Sequence, residues 1–229
     1  MRKLINYFTK FEIGLWLSSV VIIIVNFFIF KDKDYLTLAA SLIGATFLIL
    51  NAKGNPLGQF LTIVFSILYG FISYRFAYYG EMITYLCMSM PMALIALIAW
   101  LKNPYKGKKS QVKINSISPK EALLLAFVTL IVSIVFYFIL EYFNTANLIP
   151  STISVTTSFF AAYLTFRRSP YFALAYAMND LVLIVLWILA SITDISYLSV
   201  VICFIVFFVN DMYGFFSWRK MEKAQKTNM

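Results

Sequence analysis

Two Asn-Asp pairs, Asn179-Asp180 and Asn210-Asp211, lie inside runs of otherwise apolar residues. An aspartate in the hydrocarbon of a bilayer is energetically costly, so it persists there only when it faces other protein or a water-filled cavity. At 1.5 Å per residue, Asp180 lies about 15 Å and Asp211 about 10 Å from the inner ends of their segments. The two pairs therefore predict a polar route through a bundle of membrane helices, as in a transporter.

The composition is that of a protein that crosses a membrane several times. Hydrophobic residues make up 62% of the 229 residues, against about 45–50% in a soluble domain. Eight apolar segments approach the ~20 residues that a transmembrane helix needs, although the second and the sixth are short. The segments are 13–30, 36–51, 57–79, 81–101, 121–140, 151–166, 171–192 and 195–217. We therefore expect an all-α integral membrane protein with eight transmembrane helices.

Basic residues are sorted to one side of these segments. With alternate flanks assigned to opposite sides, one side holds 16 of the 19 lysines and arginines, namely Arg2, Lys3, Lys10, Lys53, Lys102, Lys106, Lys108, Lys109, Lys113, Lys120, Arg167, Arg168, Arg219, Lys220, Lys223 and Lys226. The other side holds Lys31, Lys33 and Arg75. Cytoplasmic flanks are enriched in Lys and Arg. We therefore expect both termini in the cytoplasm of a bacterial-type plasma membrane, and the net charge of +9 implies no nucleic-acid partner.

An internal repeat becomes visible when Pro56 is aligned with Pro170. In each half a short span ends shortly before the proline, and a later span ends in a Trp two residues before a Lys. Spans 2–4 and 6–8 thus form three-helix repeats, which span 5 links in parallel orientation. The predicted divisions are 1–35 (N-terminal segment and an extra helix), 36–102 (first repeat), 103–145 (cytoplasmic loop and linker helix), 146–218 (second repeat) and 219–229 (cytoplasmic tail).

Several kinds of chemistry are disfavoured by the residues that the chain lacks. It has no histidine, which removes His-ligated zinc, Ser-His-Asp catalysis and histidine proton relays. A Gly-rich phosphate loop, HExxH and CxxC are also absent, so we expect no metal and no cofactor. An intramembrane aspartyl protease would need a Gly-x-Gly-Asp context, which neither Asp180 nor Asp211 has. Cys87 and Cys203 lie within spans, where a disulfide is not expected. We therefore expect no enzymatic activity.

Polar side chains of the second repeat are candidate substrate contacts. Asp180 and Asp211 lie on consecutive antiparallel spans and can approach each other. Asn179 and Asn210, which precede them, can bind amide or hydroxyl groups; the alternative is that these residues only clamp helices together. Span 6 is rich in hydroxyls that either line a solvated face or bond back to their own helix. They are Ser151, Thr152, Ser154, Thr156, Thr157, Ser158 and Thr165.

Aromatic residues and one proline complete the candidate site. Tyr85, Tyr163, Phe172 and Tyr176 could stack on a planar heterocycle, since rings away from the membrane interface need a partner. Pro91 interrupts span 4 near its middle and removes a backbone hydrogen bond. We interpret it as a kink that shapes the bundle or as a hinge for opening and closing.

Four motifs carry a family resemblance over about residues 36–220. They are Asn55-Pro-Leu-Gly-Gln-Phe through Leu68-Tyr-Gly, then Tyr79-Gly-Glu-Met, the Trp-ended fourth span and the basic-then-Asn pattern of span 7. In this order the chain resembles the PnuC family of nicotinamide riboside transporters. The resemblance implies a three-plus-one-plus-three fold similar to the SWEET sugar transporters, a homotrimer, and uptake of nicotinamide riboside by facilitated diffusion.

On this basis the predicted substrate-binding residues are Asn179, Asp180, Asn210, Asp211, Tyr176, Phe172, Tyr163, Tyr85, Gln59 and Tyr69. One departure leaves the substrate open. Members specific for nicotinamide riboside carry a Trp-x-x-Trp in span 7, where Phe172 and Ala175 stand here. Deoxynucleosides, thiamine and riboflavin are therefore alternative substrates, proton coupling is an alternative mechanism, and a non-transporting scaffold is an alternative function.

Overall fold

The computed structural model describes residues 7–30, 34–75, 79–193 and 195–227. Within those ranges eight helices are long and apolar enough to cross a membrane, as the sequence predicts. They are α1 (Lys10–Ile29), α2 (Tyr35–Ala52), α3 (Pro56–Arg75), α4 (Tyr79–Lys102), α5 (Pro119–Tyr142), α6 (Leu148–Phe166), α7 (Phe172–Ser191) and α8 (Leu198–Thr227). Arg2, Lys3, Lys31 and Lys33, which enter the topology prediction, lie outside the described residues.

The helices form two groups of three, α2–α4 and α6–α8. In the first group α3 packs against both α2 and α4, and in the second α7 packs against both α6 and α8. The groups meet where α2 contacts α8 and where α4 contacts α6. The linker helix α5 lies against α6, while α1 lies against α2 and α8. Helices of both groups thus bound the space between them.

A short β-hairpin lies between α4 and α5, and we call its side of the bundle the inner side. Its strands are β1 (Pro104–Tyr105) and β2 (Lys108–Val112), which pair antiparallel. The two residues between them, Lys106 and Gly107, both have positive φ, of 48° and 74°, as two-residue hairpin turns require. The sequence predicts only a loop here, because strands this short and polar give no alternating pattern.

The helices α1 and α5 begin with related caps. Thr9 Oγ1 accepts a hydrogen bond from the Glu12 backbone N–H at 3.2 Å, and the Glu12 carboxylate accepts one from the Thr9 N–H at 2.6 Å. In α5, Ser118 Oγ accepts from the Glu121 N–H at 3.2 Å. Such caps satisfy N–H groups that the first helical turn leaves without partners. Both helices therefore carry a glutamate at the inner side.

Each of these glutamates binds the basic residue that ends the following helix. Lys53 Nζ lies 3.1 Å from Glu12 Oε2, and the Arg167 guanidinium forms two hydrogen bonds with Glu121. The bonds to Glu121 raise the pKa of Arg167. Thus α1 is tied to α2 as α5 is tied to α6, although the sequence alone suggests that α1 is an addition outside the repeat.

Two apolar clusters fill the bundle at different depths. The larger contains Phe65, Leu183, Trp187 and Phe207 among its buried members. The inner cluster contains the fully buried tryptophans that end α4 and α8, together with hairpin and loop residues; its members are Trp100, Val112, Ile114, Leu125, Leu164, Phe172, Ala173 and Trp218. The inner cluster therefore joins both helix groups to the loop between them.

The helix α4 is irregular where the sequence places a possible hinge. Residues Thr84–Ser89 form a π-helical turn, and the Met90 N–H bonds to the Tyr85 carbonyl five residues earlier. Pro91 follows directly, in the first turn of the regular segment Met90–Lys102, where its missing N–H is tolerated. Wide turns of this kind are frequent at functional sites. The hinge role of Pro91 stays a prediction.

A glycine pair gives a test of the packing between α2 and α3. A Cβ atom on Gly58 would lie 2.2 Å from Asn51 Oδ1 and 2.8 Å from the Asn51 backbone N, whereas one on Gly14 would meet nothing within 4 Å. We expect Gly58→Ala to lower the free energy of unfolding by about 1–3 kcal/mol, since backbone cannot yield cheaply. Gly14→Ala should instead raise it by about 0.5–1 kcal/mol through helix propensity. Equal thermal shifts for the two variants would contradict the close packing.

Candidate substrate cavity

A cavity of about 130 Å³ lies between the two helix groups. Buried space of this size holds several water molecules or part of an organic solute. Eight of the ten predicted binding residues line it: Asn179, Asp180, Asp211, Tyr176, Phe172, Tyr85, Gln59 and Tyr69. The sequence thus leads to one site for most of its candidates, and their binding roles stay predictions.

The cavity is acidic. Asp180 and Asp211 lie within hydrogen-bonding reach of each other, and a bond between two carboxyl groups requires a proton on one of them. Asp180 Oδ2 receives no hydrogen bond from a donor among the described residues. Glu81 of α4 is a third carboxyl in the lining, while no Lys or Arg is among the described lining residues. The site therefore suits a solute with positive charge.

Asn179 is held so that its amide N–H groups are free for a ligand. Its Oδ1 accepts hydrogen bonds from Thr157 Oγ1 at 2.7 Å and from Ser154 Oγ at 3.3 Å, both on α6. Among the described residues no acceptor takes a bond from Nδ2. Because two hydroxyls fix the carbonyl end, the donor end is oriented before a ligand arrives. The hydroxyl-rich face predicted for span 6 thus positions a binding group.

A second amide pair lies on the opposite helix group. Gln59 Nε2 donates to Asn51 Oδ1 at 2.9 Å, and both side chains line the cavity. The close approach of α2 and α3 at Gly58 brings them together. The sequence analysis names Gln59 and misses Asn51, whose signal is a buried amide in the last turn of an otherwise apolar span.

Aromatic rings form one wall of the cavity. Tyr69 and Tyr85 approach to 4.6 Å between ring centroids, and Phe65 stacks on Tyr69 at 5.4 Å. On the other group, Tyr176 meets Phe172 edge-on at 6.4 Å. A planar ring can pack against such a wall, and a cationic ring gains additional attraction from the aromatic faces.

Two predicted binding residues lie outside the cavity lining. Asn210 Nδ2 donates to Ser19 Oγ of α1 at 2.9 Å and to the Val206 carbonyl at 2.8 Å. Tyr163 Oη donates to Glu121 Oε1 at 3.0 Å, beside the ion pair that ends α6. Asn210 thus joins α8 to α1, and Tyr163 joins α6 to α5. Pro91 is not among the lining residues either.

Asn210 therefore gives a prediction about packing without binding. We expect Asn210→Ala to lower the free energy of unfolding by about 1–2 kcal/mol, because Ser19 loses its donor inside the protein. Ligand affinity should stay within about twofold, since the side chain does not reach the cavity. Thermal unfolding with and without ligand measures both effects. A large loss of ligand-induced stabilisation would place Asn210 in the binding site after all.

Some lining residues were not identified from the sequence as candidates. Glu81 enters the sequence analysis only as part of the Tyr79-Gly-Glu-Met motif, because a carboxylate near a helix end is usually solvated. Ser66, Thr62 and Ser89 also line the cavity. A small polar residue in an apolar span carries no sign of which face it occupies, so sequence could not separate them from packing hydroxyls.

A membrane-spanning bundle of two three-helix groups around a polar, acidic and aromatic cavity defines a transporter of small organic solutes. Comparison with known proteins gives the family. Residues 34–220 match the family described as nicotinamide mononucleotide transporter, and the chain belongs to that family.

Two relatives agree with this assignment. The nicotinamide riboside transporter PnuC of Neisseria mucosa is 23% identical over 226 residues, which cover 97% of this chain and 86% of the relative. The crystal structure of the vitamin B3 transporter PnuC superposes with a TM-score of 0.81 at 22% identity, covering 95% of this chain and 94% of that one. The fold predicted from the sequence, with its two repeats and its linker helix, is therefore confirmed.

Proposed function

We propose that the chain carries nicotinamide riboside across the plasma membrane. The observation that supports this most is the charge of the cavity, which has three carboxyls and no basic residue among its described lining. A pyridinium riboside has one positive charge that these carboxyls attract. A mononucleotide adds a phosphate, which would enter an acidic site without a cation to bind it. The lining thus favours the riboside over its phosphate.

The remaining contacts fit a riboside. The free Nδ2 of Asn179 can donate to a ribose hydroxyl or to the carboxamide oxygen, and the Asn51–Gln59 pair offers amides from the other group. Tyr69 and Tyr85 supply faces for the base. The chain acts by facilitated diffusion as a homotrimer, with both termini in the cytoplasm. Accumulation then requires trapping of the riboside inside the cell, and the chain itself catalyses no reaction.

A different cationic vitamin is the second candidate, favoured by one specific observation. Phe172, at a position where relatives specific for nicotinamide riboside have a tryptophan, packs edge-on against Trp218 with ring centroids 4.7 Å apart. The other such position is Ala175. A base held between two indoles cannot form here, so a second cation such as thiamine could use the same carboxyls.

Thermal unfolding of the purified protein with a panel of ligands tests the proposal. Ligands that bind only the folded state raise the unfolding temperature. We expect nicotinamide riboside to stabilise most, nicotinamide mononucleotide to have no effect, and riboflavin and neutral nucleosides to have weaker effects. Stabilisation by thiamine alone would select the second candidate. No shift with any member of the panel would favour a non-transporting scaffold.

A further inference from the structure

Two tryptophans bond across the helix groups at the inner end of the cavity. Trp100, near the end of α4, donates from Nε1 to the Thr165 carbonyl of α6 at 2.9 Å. Trp218 of α8 donates from Nε1 to the Asn51 carbonyl of α2 at 2.7 Å. The two rings touch each other, with centroids 5.3 Å apart, and both are fully buried. Each group is therefore bound to the other by a reciprocal hydrogen bond.

The two acceptor carbonyls occupy equivalent positions in the repeats. Asn51 and Thr165 each also accept a bond from the residue three positions later, Gly54 at 2.9 Å and Arg168 at 3.0 Å. Those residues both have positive φ, of 67° and 57°. Arg168 keeps this conformation although it is unfavourable for a side chain with Cβ. The last turn of each inner helix is thus shaped in the same way, with its carbonyl presented to the tryptophan of the other half.

Residues 112–115, which we call the inner strap, fasten the same two turns from outside. The Val112 N–H donates to the Gly54 carbonyl at 2.9 Å, and the Asn115 N–H donates to the Arg168 carbonyl at 3.1 Å. Gln225 at the end of α8 holds the strap by a bond from the Ile114 N–H at 2.9 Å and a bond to the Val112 carbonyl at 3.1 Å. The strap therefore bridges the two repeats directly over the tryptophans.

The tryptophan pair is continuous with the cavity wall. Asn51, whose carbonyl accepts the bond from Trp218, turns its side chain into the cavity and pairs there with Gln59. Phe172 also lines the cavity and packs edge-on against Trp218. A solute leaving the cavity at this end must therefore separate side chains that bind across the two groups.

We propose that Trp100 and Trp218, together with the inner strap, form the inner gate of the transport path. This inference rests on the proposed transport function. Opening breaks both reciprocal bonds and releases the strap from one of the two turns. Closure restores them, and the contact through Asn51 links occupancy of the cavity to the gate.

Accessibility of a reporter cysteine tests the gate without any substrate. In a Cys87→Ala/Cys203→Ala background, Thr62→Cys places a single thiol in the cavity lining. A membrane-impermeant maleimide is applied to the inner face in inverted vesicles. We expect Trp100→Phe/Trp218→Phe to speed labelling by about tenfold or more, because phenylalanine keeps an apolar ring and removes both donors.

The matched control is Trp16→Phe, which removes one indole bond, to Thr46 Oγ1 at 3.2 Å, far from the inner cluster. It should leave the labelling rate unchanged. An unchanged rate in the double variant, with the reporter still reactive after unfolding, would overturn the gate. This result does not depend on which solute is carried.

A disulfide tests the same gate in the closed direction. A Cβ atom on Gly214 of α8 lies 3.7 Å from the Ala52 Cβ of α2, within the range of about 3.5–4.5 Å that disulfides require. In Ala52→Cys/Gly214→Cys, oxidation should stop exchange of nicotinamide riboside across vesicles, and a reductant should restore it. Ligand-induced stabilisation should persist in the oxidised protein, because the outer side stays free to open.

The outcomes separate the gate from the proposed function. Continued exchange with the disulfide formed would overturn the gate and leave the transport function standing. If the reduced variant and the parent chain both fail to exchange the riboside, the proposed function fails, and the labelling experiment still decides the gate. Each single cysteine variant serves as the control for the substitutions themselves.

Discussion

Asn179→Ala should weaken binding of nicotinamide riboside by about tenfold to a hundredfold, as expected when a buried hydrogen-bond donor to the ligand is lost. Asn179 has its carbonyl fixed by Thr157 and Ser154 and its Nδ2 without a described acceptor. Stability should change little, since the Thr157 hydroxyl also bonds to the Ile153 and Ser154 carbonyls. Calorimetric titration gives the affinity, and thermal unfolding gives the stability.

Asn210→Ala is the matched control for this variant. It removes the same side chain from the second Asn-Asp pair, where the amide bonds to α1 and α8 instead of facing the cavity. The two variants should therefore show opposite patterns, one losing affinity and the other losing stability. If both variants lose affinity equally, the orientation of Asn210 described above is wrong.

Glu81→Gln should reduce discrimination between the cationic riboside and neutral nucleosides. The carboxylate lines the cavity with Asp180 and Asp211, and removing its charge lowers attraction for a pyridinium without changing the shape of the side chain. We expect the affinity for nicotinamide riboside to fall by about tenfold, or ~1.4 kcal/mol. The affinity for inosine should stay within about twofold. Competition in vesicles at constant pH measures both values.

Glu12→Gln provides the control for a buried carboxyl outside the cavity. Glu12 binds Lys53 and accepts a hydrogen bond from Tyr213 at 2.8 Å. Its substitution should lower thermal stability, because Lys53 loses its charged partner, and should leave the ratio of the two affinities unchanged. A changed ratio in Glu12→Gln would show that the selectivity arises from charge elsewhere in the protein.

The helices could be predicted from the sequence because a bilayer demands about 20 apolar residues for each span. Boundaries differ mainly where amphipathic or polar turns continue a helix past the apolar run, as α8 does to Thr227. The hairpin carries no such signal. The caps of α1 and α5 were readable as Thr9 to Glu12 and Ser118 to Glu121, but their common partners at Lys53 and Arg167 required the structure.

The candidate site could be predicted only in part, and the reason is rotational phase. Adjacent residues on a helix point about 100° apart, so Asp211 can line the cavity while Asn210 faces α1. A helix that is apolar on every side gives no moment from which this phase could be read. Tyr163 fails for a related reason, because a tyrosine near a helix end bonds equally well to a carboxylate on a neighbouring helix.

Counterflow in proteoliposomes tests the central claim most directly. Vesicles preloaded with unlabelled nicotinamide riboside, with no ion or pH gradient, should take up labelled riboside transiently above its external concentration, and excess nicotinamide mononucleotide should not compete. Dependence on an imposed pH gradient would instead indicate proton coupling. Absence of counterflow for nicotinamide riboside, in protein that is folded and inserted, would contradict the account.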